Sequence, residues 1–336
     1  MKKIFFSLFL IVMFGWFFHY TFADSVLHPA FYVWSSATLF GNSSLDATFL
    51  AKLKAYQANY IFLSLTSSQR TTYFSTSAGK TYLHNFINTL NDNGISVWLL
   101  LGDNSYLSGS WKQKLLAILP LFNAFNNEWD WFSQIHLDIE PYTLDGREWT
   151  PDATTEWLMQ DYLDVLSAVQ SATTSPVMAD VYRRYKDINY EWVPFIEKIL
   201  PYVDGIAVMH YITSSSLVLS RAQYFYNLTE AEGKDLFFAL PFDTSRTAPY
   251  TFYKTSLGTF LTAVKPVVSA GIPIALHDFA DFDAYWTTYV SPMTTIINNL
   301  VTSKMSSTTR TQYLATFNTK YTTLLQSLFT PSLFTQ

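Results

Sequence analysis

The stretch that decides the fold is residues 133–142, which read SQIHLDIEPY. Three polar residues, His136, Asp138 and Glu140, alternate there with isoleucine and leucine. Alternate residues of a β-strand point to opposite faces, so the three polar side chains share one face, spaced about 6.6 Å apart along the strand. If the strand belongs to a barrel, its apolar face meets the surrounding helices. The polar row is then predicted to point into the lumen.

Strand-like and helical segments alternate eight times after residue 30. Such alternation indicates a parallel sheet, and eight units fit a closed barrel better than an open sheet, which tends to carry a glycine-rich first turn. We therefore predict an α/β fold, a (β/α)8 TIM barrel in a single domain. The candidate strands are 31–35, 59–65, 95–101, 133–140, 176–182, 204–211, 235–242 and 272–279.

Helices are predicted between these strands. Thr150 is expected to be the N-cap of the fourth helix, with Pro151 in its first turn, because both residue types favour these positions. The candidate helices are 46–57, 80–93, 108–126, 151–170, 188–201, 216–230, 252–270 and 283–300.

Residues 1–23 read MKKIFFSLFLIVMFGWFFHYTFA and have the pattern of a signal peptide. Two lysines precede an apolar run from Ile4 to Phe18, which is shorter than the roughly 20 residues of a membrane span. We expect cleavage and a secreted or periplasmic mature chain, 24–336, with no membrane span. An uncleaved anchor is the alternative. Residues 301–336 are predicted to form a terminal helix packed on the barrel.

The composition excludes several classes of function. The chain has 336 residues, is 49% hydrophobic and 14% charged, and carries a net charge of −5, so neither a disordered segment nor a nucleic-acid binder is expected. It has no cysteine, which removes disulfides, thiolate nucleophiles and cysteine-ligated metals. No glycine-rich phosphate-binding motif occurs. We predict a monomer that needs no cofactor or metal.

The active site of a TIM barrel lies at the carboxyl ends of its strands. Two acids as close as Asp138 and Glu140 in a low-dielectric lumen resist joint ionisation, so one of them is expected to hold a proton at neutral pH. Glu140, nearest the mouth, is the candidate general acid, and Asp138 would hold the substrate. A buried ion-pair network is the structural alternative.

Other strand ends add polar and aromatic groups to the same mouth. Taken singly, each residue is at least as typical of core packing as of binding. Together they predict an acidic, aromatic-lined groove, which suits a neutral carbohydrate whose hydroxyls meet carboxylates and whose apolar faces stack on rings. These candidate substrate-binding residues are Tyr32, Trp34, His136, Asp180, Tyr182, Met209, His210, Asp243, His277 and Asp278.

The segment SQIHLDIEPY resembles the DGxDxDxE strand-four signature of glycoside hydrolase family 18, the chitinase-like barrels. Matched residue by residue, Glu140 takes the acid/base position and Asp138 the carboxylate that orients the substrate's acetamido group. Met209-His210-Tyr211 is similar to the family's strand-six M-x-Y element, whose tyrosine contacts the acetamido carbonyl.

Several residues depart from that family pattern. Ser133 and His136 replace the first two aspartates of the signature, and Gln134 replaces its glycine. Ile212 stands where an acidic or amide residue usually follows the tyrosine. The strand-eight tryptophan that floors the sugar site has only imperfect substitutes, among them Trp286.

The resemblance implies a glycosidase in which Glu140 protonates the glycosidic oxygen. The substrate's acetamido group would attack the anomeric carbon, steadied by Asp138 and Tyr211, one of the substrate-assisted exceptions to the two-carboxylate scheme. A sugar without that group would need a second carboxylate, for which Asp180, Asp243 and Asp278 are candidates.

Two other functions remain open. A metal-dependent hydrolase or phosphodiesterase could draw on nitrogen and oxygen donors from several strands, since neighbours in the strand-four row are too far apart to share one ion. A non-catalytic glycan-binding barrel would keep the acidic residues without turnover. The donors of the metal hypothesis are His136, Asp138, Glu140, His210 and His277.

Overall fold

Eight parallel β-strands close into a barrel. The computed structural model describes residues 29–34, 36–129, 132–144, 149–150 and 155–291. Each barrel strand pairs with the next, and the eighth pairs with the first, so the predicted TIM barrel is confirmed. The strands are β1 (Ala30–Val33), β2 (Tyr60–Ser64), β3 (Ser96–Gly102), β4 (Phe132–Asp138), β5 (Val177–Tyr182), β6 (Gly205–Met209), β7 (Asp235–Pro241) and β8 (Ile274–His277).

Helices lie between the strands, and several of them begin at polar caps. The Asn42 side chain, for example, accepts hydrogen bonds from the first backbone N–H groups of α2, and Thr66 and Gln69 form a reciprocal capping box at the start of α3. The helices are α1 (Ser36–Leu39), α2 (Ser43–Ala55), α3 (Ser67–Ser75), α4 (Ser77–Asn91), α5 (Gly109–Trp129), α6 (Glu156–Ala172), α7 (Phe195–Ile199), α8 (Ser215–Glu232), α9 (Leu257–Ser269) and α10 (Phe279–Tyr285).

Two predicted helices differ from the observed ones. Helix α6 begins at Glu156 with Thr155 in the N-cap position, so Thr150 is not its cap. The first half of 188–201 is a short antiparallel ribbon, Asn189–Tyr190 with Val193–Pro194. Its two-residue turn has positive φ at both central positions, the geometry of a tight hairpin, which a helical pattern could not anticipate.

Parts of the prediction lie outside the described residues. They are the signal peptide of residues 1–23, the terminal helix of residues 301–336 and the end of the helix predicted for 283–300. Among the helices that the structure describes, none combines the length and the apolar character required to cross a membrane.

The barrel strands separate two apolar layers. The outer layer joins strands to helices and includes Ile135, Leu137 and Ile139, as the alternation in strand four predicts. The inner layer fills the lumen, and its rings include Tyr32 and Tyr211. The two layers therefore assign the polar row of strand four to the lumen.

The amino end of the lumen is closed by four rings, Tyr60, Phe62, Trp98 and Phe237, called here the aromatic plug. The centroids of Phe62, Trp98 and Phe237 lie 5.1 to 5.4 Å from one another, and Tyr60 lies 5.3 Å from Phe237. Outside the plug is a cavity of about 370 Å³, whose lining includes Glu230. The plug separates that cavity from the carboxyl end of the barrel.

Candidate active site

The polar row of strand four opens at the carboxyl end of the lumen. His136 is fully buried there, with its ring centroid 4.1 Å from that of Phe62 in the aromatic plug. Strand β4 ends at Asp138, and Glu140 lies two residues further on, where the chain enters a short 3₁₀ turn, Pro141–Thr143. The row thus runs from a dry floor to a partly exposed rim.

Asp138 is paired with a carboxyl group from the neighbouring strand. Its side chain is in hydrogen-bonding contact with that of Asp180 on β5, and both residues are buried. One oxygen of Asp180 accepts a hydrogen bond from the Tyr32 hydroxyl and lies 2.9 Å from Nε2 of His136. Asp180 is therefore the acceptor within this cluster, and Asp138 carries the proton that the two carboxyls share.

Burial and charge explain this proton. Burial raises the pKa of Asp138 well above its ordinary value, and the negative charges of Asp180 and Glu140 raise it further. Burial also raises the pKa of Asp180, but the hydrogen bonds from Tyr32 and Asp138 favour its ionised form. Burial lowers the pKa of His136 to about 3, so its ring is neutral and does not neutralise the pair. The sequence-based expectation of a protonated acid here thus falls on Asp138.

Two tyrosines hold Glu140 at the rim. The hydroxyl of Tyr142 donates a hydrogen bond to Oε1 of Glu140. The Tyr142 ring stacks on that of Tyr182, with centroids 4.1 Å apart and planes 19° apart. On the other side, the backbone N–H of Glu140 donates to the side-chain oxygen of Asn104 at 2.6 Å. These contacts restrain both the backbone and the carboxyl group of Glu140.

The pKa of Glu140 is raised, as a general acid requires. Burial is the largest cause, whereas the hydrogen bond from Tyr142 and the positive charge of Arg246 lower this pKa. The balance keeps Glu140 more readily protonated than a surface glutamate. The Tyr142 hydroxyl and the positive charge of Arg246 can still stabilise the Glu140 carboxylate after the proton has left.

Tyr211 and Met209 line the inner wall beside the carboxyls. The hydroxyls of Tyr32 and Tyr211 each lie 3.7 Å from the Met209 sulfur. Burial raises the pKa of Tyr211 well above its ordinary value, and the nearby charge of Glu140 adds to this. Tyr211 is therefore a neutral hydroxyl donor on the wall of the site.

Trp34 and His277 continue this wall, since the His277 ring centroid lies 5.9 Å from that of Tyr211 and 4.8 Å from that of Tyr32. The Trp34 indole N–H donates to Nε2 of His277 at 3.1 Å. Burial, with help from the charge of Arg246, lowers the pKa of His277 to about 4, so the ring is neutral and free to accept. The Trp34 ring lies directly over Gly102: a Cβ at that position would be 2.2 Å from the ring's outer edge.

The candidate second carboxylates are all engaged. Asp180 is only 2% exposed and is bound within the cluster of Asp138. Asp243 binds Ser245 and Arg246 at 2.6 to 2.9 Å. Asp278 caps α10 by accepting from the Asp281 backbone at 2.8 Å. Each of the three therefore has at least one partner, and the one Asp180 oxygen with no hydrogen-bond partner among the described residues is buried.

Two predicted substrate-binding residues point elsewhere, and their expected placement at the mouth is wrong. The His210 ring packs outside the barrel, 4.9 Å from Phe238 of the outer layer, because its neighbours Met209 and Tyr211 take the inner face. Trp286 packs against Tyr56 at 5.0 Å in the outer layer. It follows α10, which carries it away from the end of β8.

Three residues of the site were not predicted from the sequence. They are Tyr142, Asn104 and Arg246. Tyr142 continues the alternation of the strand-four row by two residues, so a signal for it existed. Asn104 and Arg246 come from loops after β3 and β7, where no periodicity indicates the direction of a side chain.

The donors of the metal hypothesis do not assemble in the part of the chain that the structure describes. No group of three or more His, Asp or Glu side chains there is arranged to hold an ion. Because His210 faces the outer layer, it is removed from the set that the hypothesis needs.

Solved structures of glycoside hydrolases share the barrel fold. A protein provisionally named an α-L-fucosidase from Bacteroides thetaiotaomicron matches with a TM-score of 0.50 and 12% identity, over 79% of this chain and 94% of that one. A family 18 chitinase from Pseudoalteromonas aurantia matches with a TM-score of 0.48 and 11% identity, over 79% and 99%. A family 113 β-1,4-mannanase matches with 0.48 and 10%, over 75% and 88%.

The sequence comparisons are negative. Neither a protein-family model nor a curated protein matches the chain. At these identities the structural matches establish the fold alone. The chain is therefore a TIM barrel.

Proposed function

We propose that the protein is a glycoside hydrolase in which Glu140 is the general acid/base, assisted by Asp138 and Tyr211. The observation that carries this proposal is the pairing of a restrained Glu140, its pKa raised by burial, with a protonated Asp138 at the carboxyl end of the barrel. The glycosidase fold of its structural neighbours is consistent with it. The expected signal peptide at residues 1–23 would bring the enzyme to secreted or periplasmic glycans.

The first step transfers one proton. The O–H bond of Glu140 breaks and an O–H bond to the glycosidic oxygen forms, while the bond between that oxygen and the anomeric carbon breaks and leaves its electrons on the oxygen. In the substrate-assisted route, the acetamido carbonyl oxygen supplies the electron pair that bonds to the anomeric carbon. Glu140 then takes a proton from a water molecule, whose oxygen bonds to the anomeric carbon while the bond between that carbon and the acetamido oxygen breaks.

The surrounding contacts favour this route over a two-carboxylate one. Asp180 is buried, Asp243 binds Arg246 and Asp278 caps α10, which argues against a second catalytic carboxylate among them. Asp138 and Tyr211, by contrast, offer neutral groups beside Glu140. Asp138 keeps one buried oxygen with no hydrogen-bond partner among the described residues, where a substrate amide could bind. We therefore propose an N-acetylated sugar as the substrate.

The test compares Glu140→Gln with Glu230→Gln, which changes an exposed glutamate at the other end of the barrel. Purified protein is assayed on N-acetylglucosamine polymers and on chromogenic glycosides with and without an N-acetyl group. We expect turnover of the N-acetylated substrates, a loss of about 10³-fold in kcat/KM for Glu140→Gln, and no loss for Glu230→Gln.

Other results would redirect the proposal. Glycan binding without turnover in the wild type would indicate the non-catalytic barrel. Phosphoesterase activity that a chelator abolishes would indicate the metal-dependent hydrolase. Equal turnover of substrates with and without the N-acetyl group would retain the glycosidase and reject the substrate-assisted route.

A further inference from the structure

Arg246 is clamped at the rim of the candidate site by two contacts. Its guanidinium carbon lies 4.2 Å from the centroid of the Tyr211 ring, a cation–π arrangement. Its Nε donates to Asp243 at 2.9 Å, and Asp243 is itself fixed by the backbone N–H and hydroxyl of Ser245. The positive charge of Arg246 is thus held over the wall that faces Glu140.

The clamp is electrostatically stable. Burial would raise the pKa of Asp243, but the hydrogen bonds from Ser245 and Arg246 outweigh it and leave this pKa lowered. Asp243 therefore stays ionised and keeps its bond to Arg246 at the pH values at which a glycosidase works. The terminal amino groups of Arg246 have no hydrogen bond to any residue in the described ranges, so they are not committed to the clamp.

Several titratable groups surround Glu140, and they carry charges of different sign. Asp138 and Asp180 add buried carboxyls from β4 and β5, and the histidines of the lumen are neutral, so neither set supplies positive charge. Arg246 does supply it, and its charge reaches both Glu140 and His277. The remaining groups around Glu140 are the hydroxyls of Tyr142, Tyr162, Tyr185 and Tyr211.

We propose that Arg246 is a positioning residue of this reaction: it braces the Tyr211 ring and stabilises the carboxylate that Glu140 becomes when its proton moves to the glycosidic oxygen. The inference rests on the proposed function, because it assigns a role within the same proton transfer. It predicts that Arg246 acts through charge as well as through contact. A purely structural residue would act through contact alone.

The experiment uses Arg246→Met, which removes the charge and keeps an apolar stem, and Arg246→Lys, which keeps the charge. Lys254→Met is the control, since it removes an exposed cation from the same loop. For Arg246→Met we expect kcat to fall about 10-fold and the high-pH limb of kcat/KM to move up by about 0.5 to 1 pH unit, because Glu140 becomes a weaker acid. Arg246→Lys should keep most of the wild-type limb, and Lys254→Met should match the wild type.

A second measurement does not depend on activity. Titration of the Glu140 carboxyl by ¹³C NMR should show the same upward shift in Arg246→Met, and thermal unfolding shows whether the variant is folded. If Arg246→Met does not fold, Arg246→Gln makes the same comparison. An unchanged limb and an unchanged carboxyl titration, with or without a loss of activity, would overturn the inference and leave the glycosidase proposal standing. A wild type that hydrolyses no glycoside would overturn the proposed function, and the role of Arg246 with it.

Discussion

The two ends of the barrel are both lined by aromatic rings, yet they contain different chemistry. At the amino end, the aromatic plug borders a cavity of about 370 Å³. At the carboxyl end, rings of the same kind surround three acidic side chains, Asp138, Glu140 and Asp180. Aromatic lining therefore does not distinguish the proposed reactive site from the packed end. The buried acidic side chains do.

The plug also has a role at the other end. Phe62 packs on His136, and the rings beneath them keep the floor of the polar row dry. Burial is the main reason that the pKa of Asp138, two residues further along the row, is raised. The packing at the amino end thus closes off the base of the row in which the proposed chemistry takes place.

The largest expected effect is on folding at the plug. Trp98→Ala removes a buried ring that contacts Tyr60, Phe62 and Phe237, and should lower the free energy of unfolding by about 3–5 kcal/mol. Trp192→Ala is the matched control, because Trp192 is 97% exposed, and should change it by less than about 0.5 kcal/mol. Urea denaturation measures both. Equal effects would mean that the plug is not a close-packed element.

A smaller effect is expected at the paired carboxyls. Asp138→Asn should lower kcat/KM about 10²-fold, since the site loses one protonated acid. Because the pKa of Asp138 is raised on folding, wild-type stability decreases as pH rises above the ordinary carboxyl value. The variant lacks this loss, so its stability relative to the wild type should increase between pH 4 and pH 8, by about 1.4 kcal/mol for each unit of the shift. A constant difference across that range would contradict a shared proton on Asp138.

The smallest expected effect concerns His210, whose ring packs in the outer layer while the side chains of its neighbours line the lumen. Burial lowers the pKa of His210 to about 3, so the folded protein loses stability as pH falls below about 6.5, where the unfolded chain takes up a proton. His210→Leu should be relatively more stable at pH 5 than at pH 8, by about 2 kcal/mol, with kcat/KM within about two-fold of the wild type. A large loss of activity in a folded variant would return His210 to the substrate site.

The barrel was predictable because its signals are local and repeated. All eight predicted strands overlap observed ones, and the alternation in strand four assigned His136, Asp138 and Glu140 to the lumen. The same rule, applied strictly to Met209, His210 and Tyr211, would have turned His210 outward. Only alternate residues at the end of a strand face the mouth of the barrel, and His210 is not one of them.

The rest depended on tertiary contacts. No period in the sequence brings Arg246 onto Tyr211, because a loop connects Arg246 to its strand. The pairing of Asp138 with Asp180 follows from the adjacency of β4 and β5, which the predicted barrel contains, but the hydrogen bonds that decide which carboxyl is protonated come from Tyr32 and His136. The sequence pattern shows which carboxyls lie close together, but the three-dimensional packing is needed to tell which of them carries the proton.

The absence of a side chain at Gly102 gives the outer edge of the Trp34 ring room to lie against the backbone. A methyl group there, as in Gly102→Ala, would displace the indole ring of Trp34. The space beside Trp34 at the carboxyl end of the barrel would change without any change in charge. The range of molecules that this barrel admits could therefore be adjusted from a position that takes no part in the reaction.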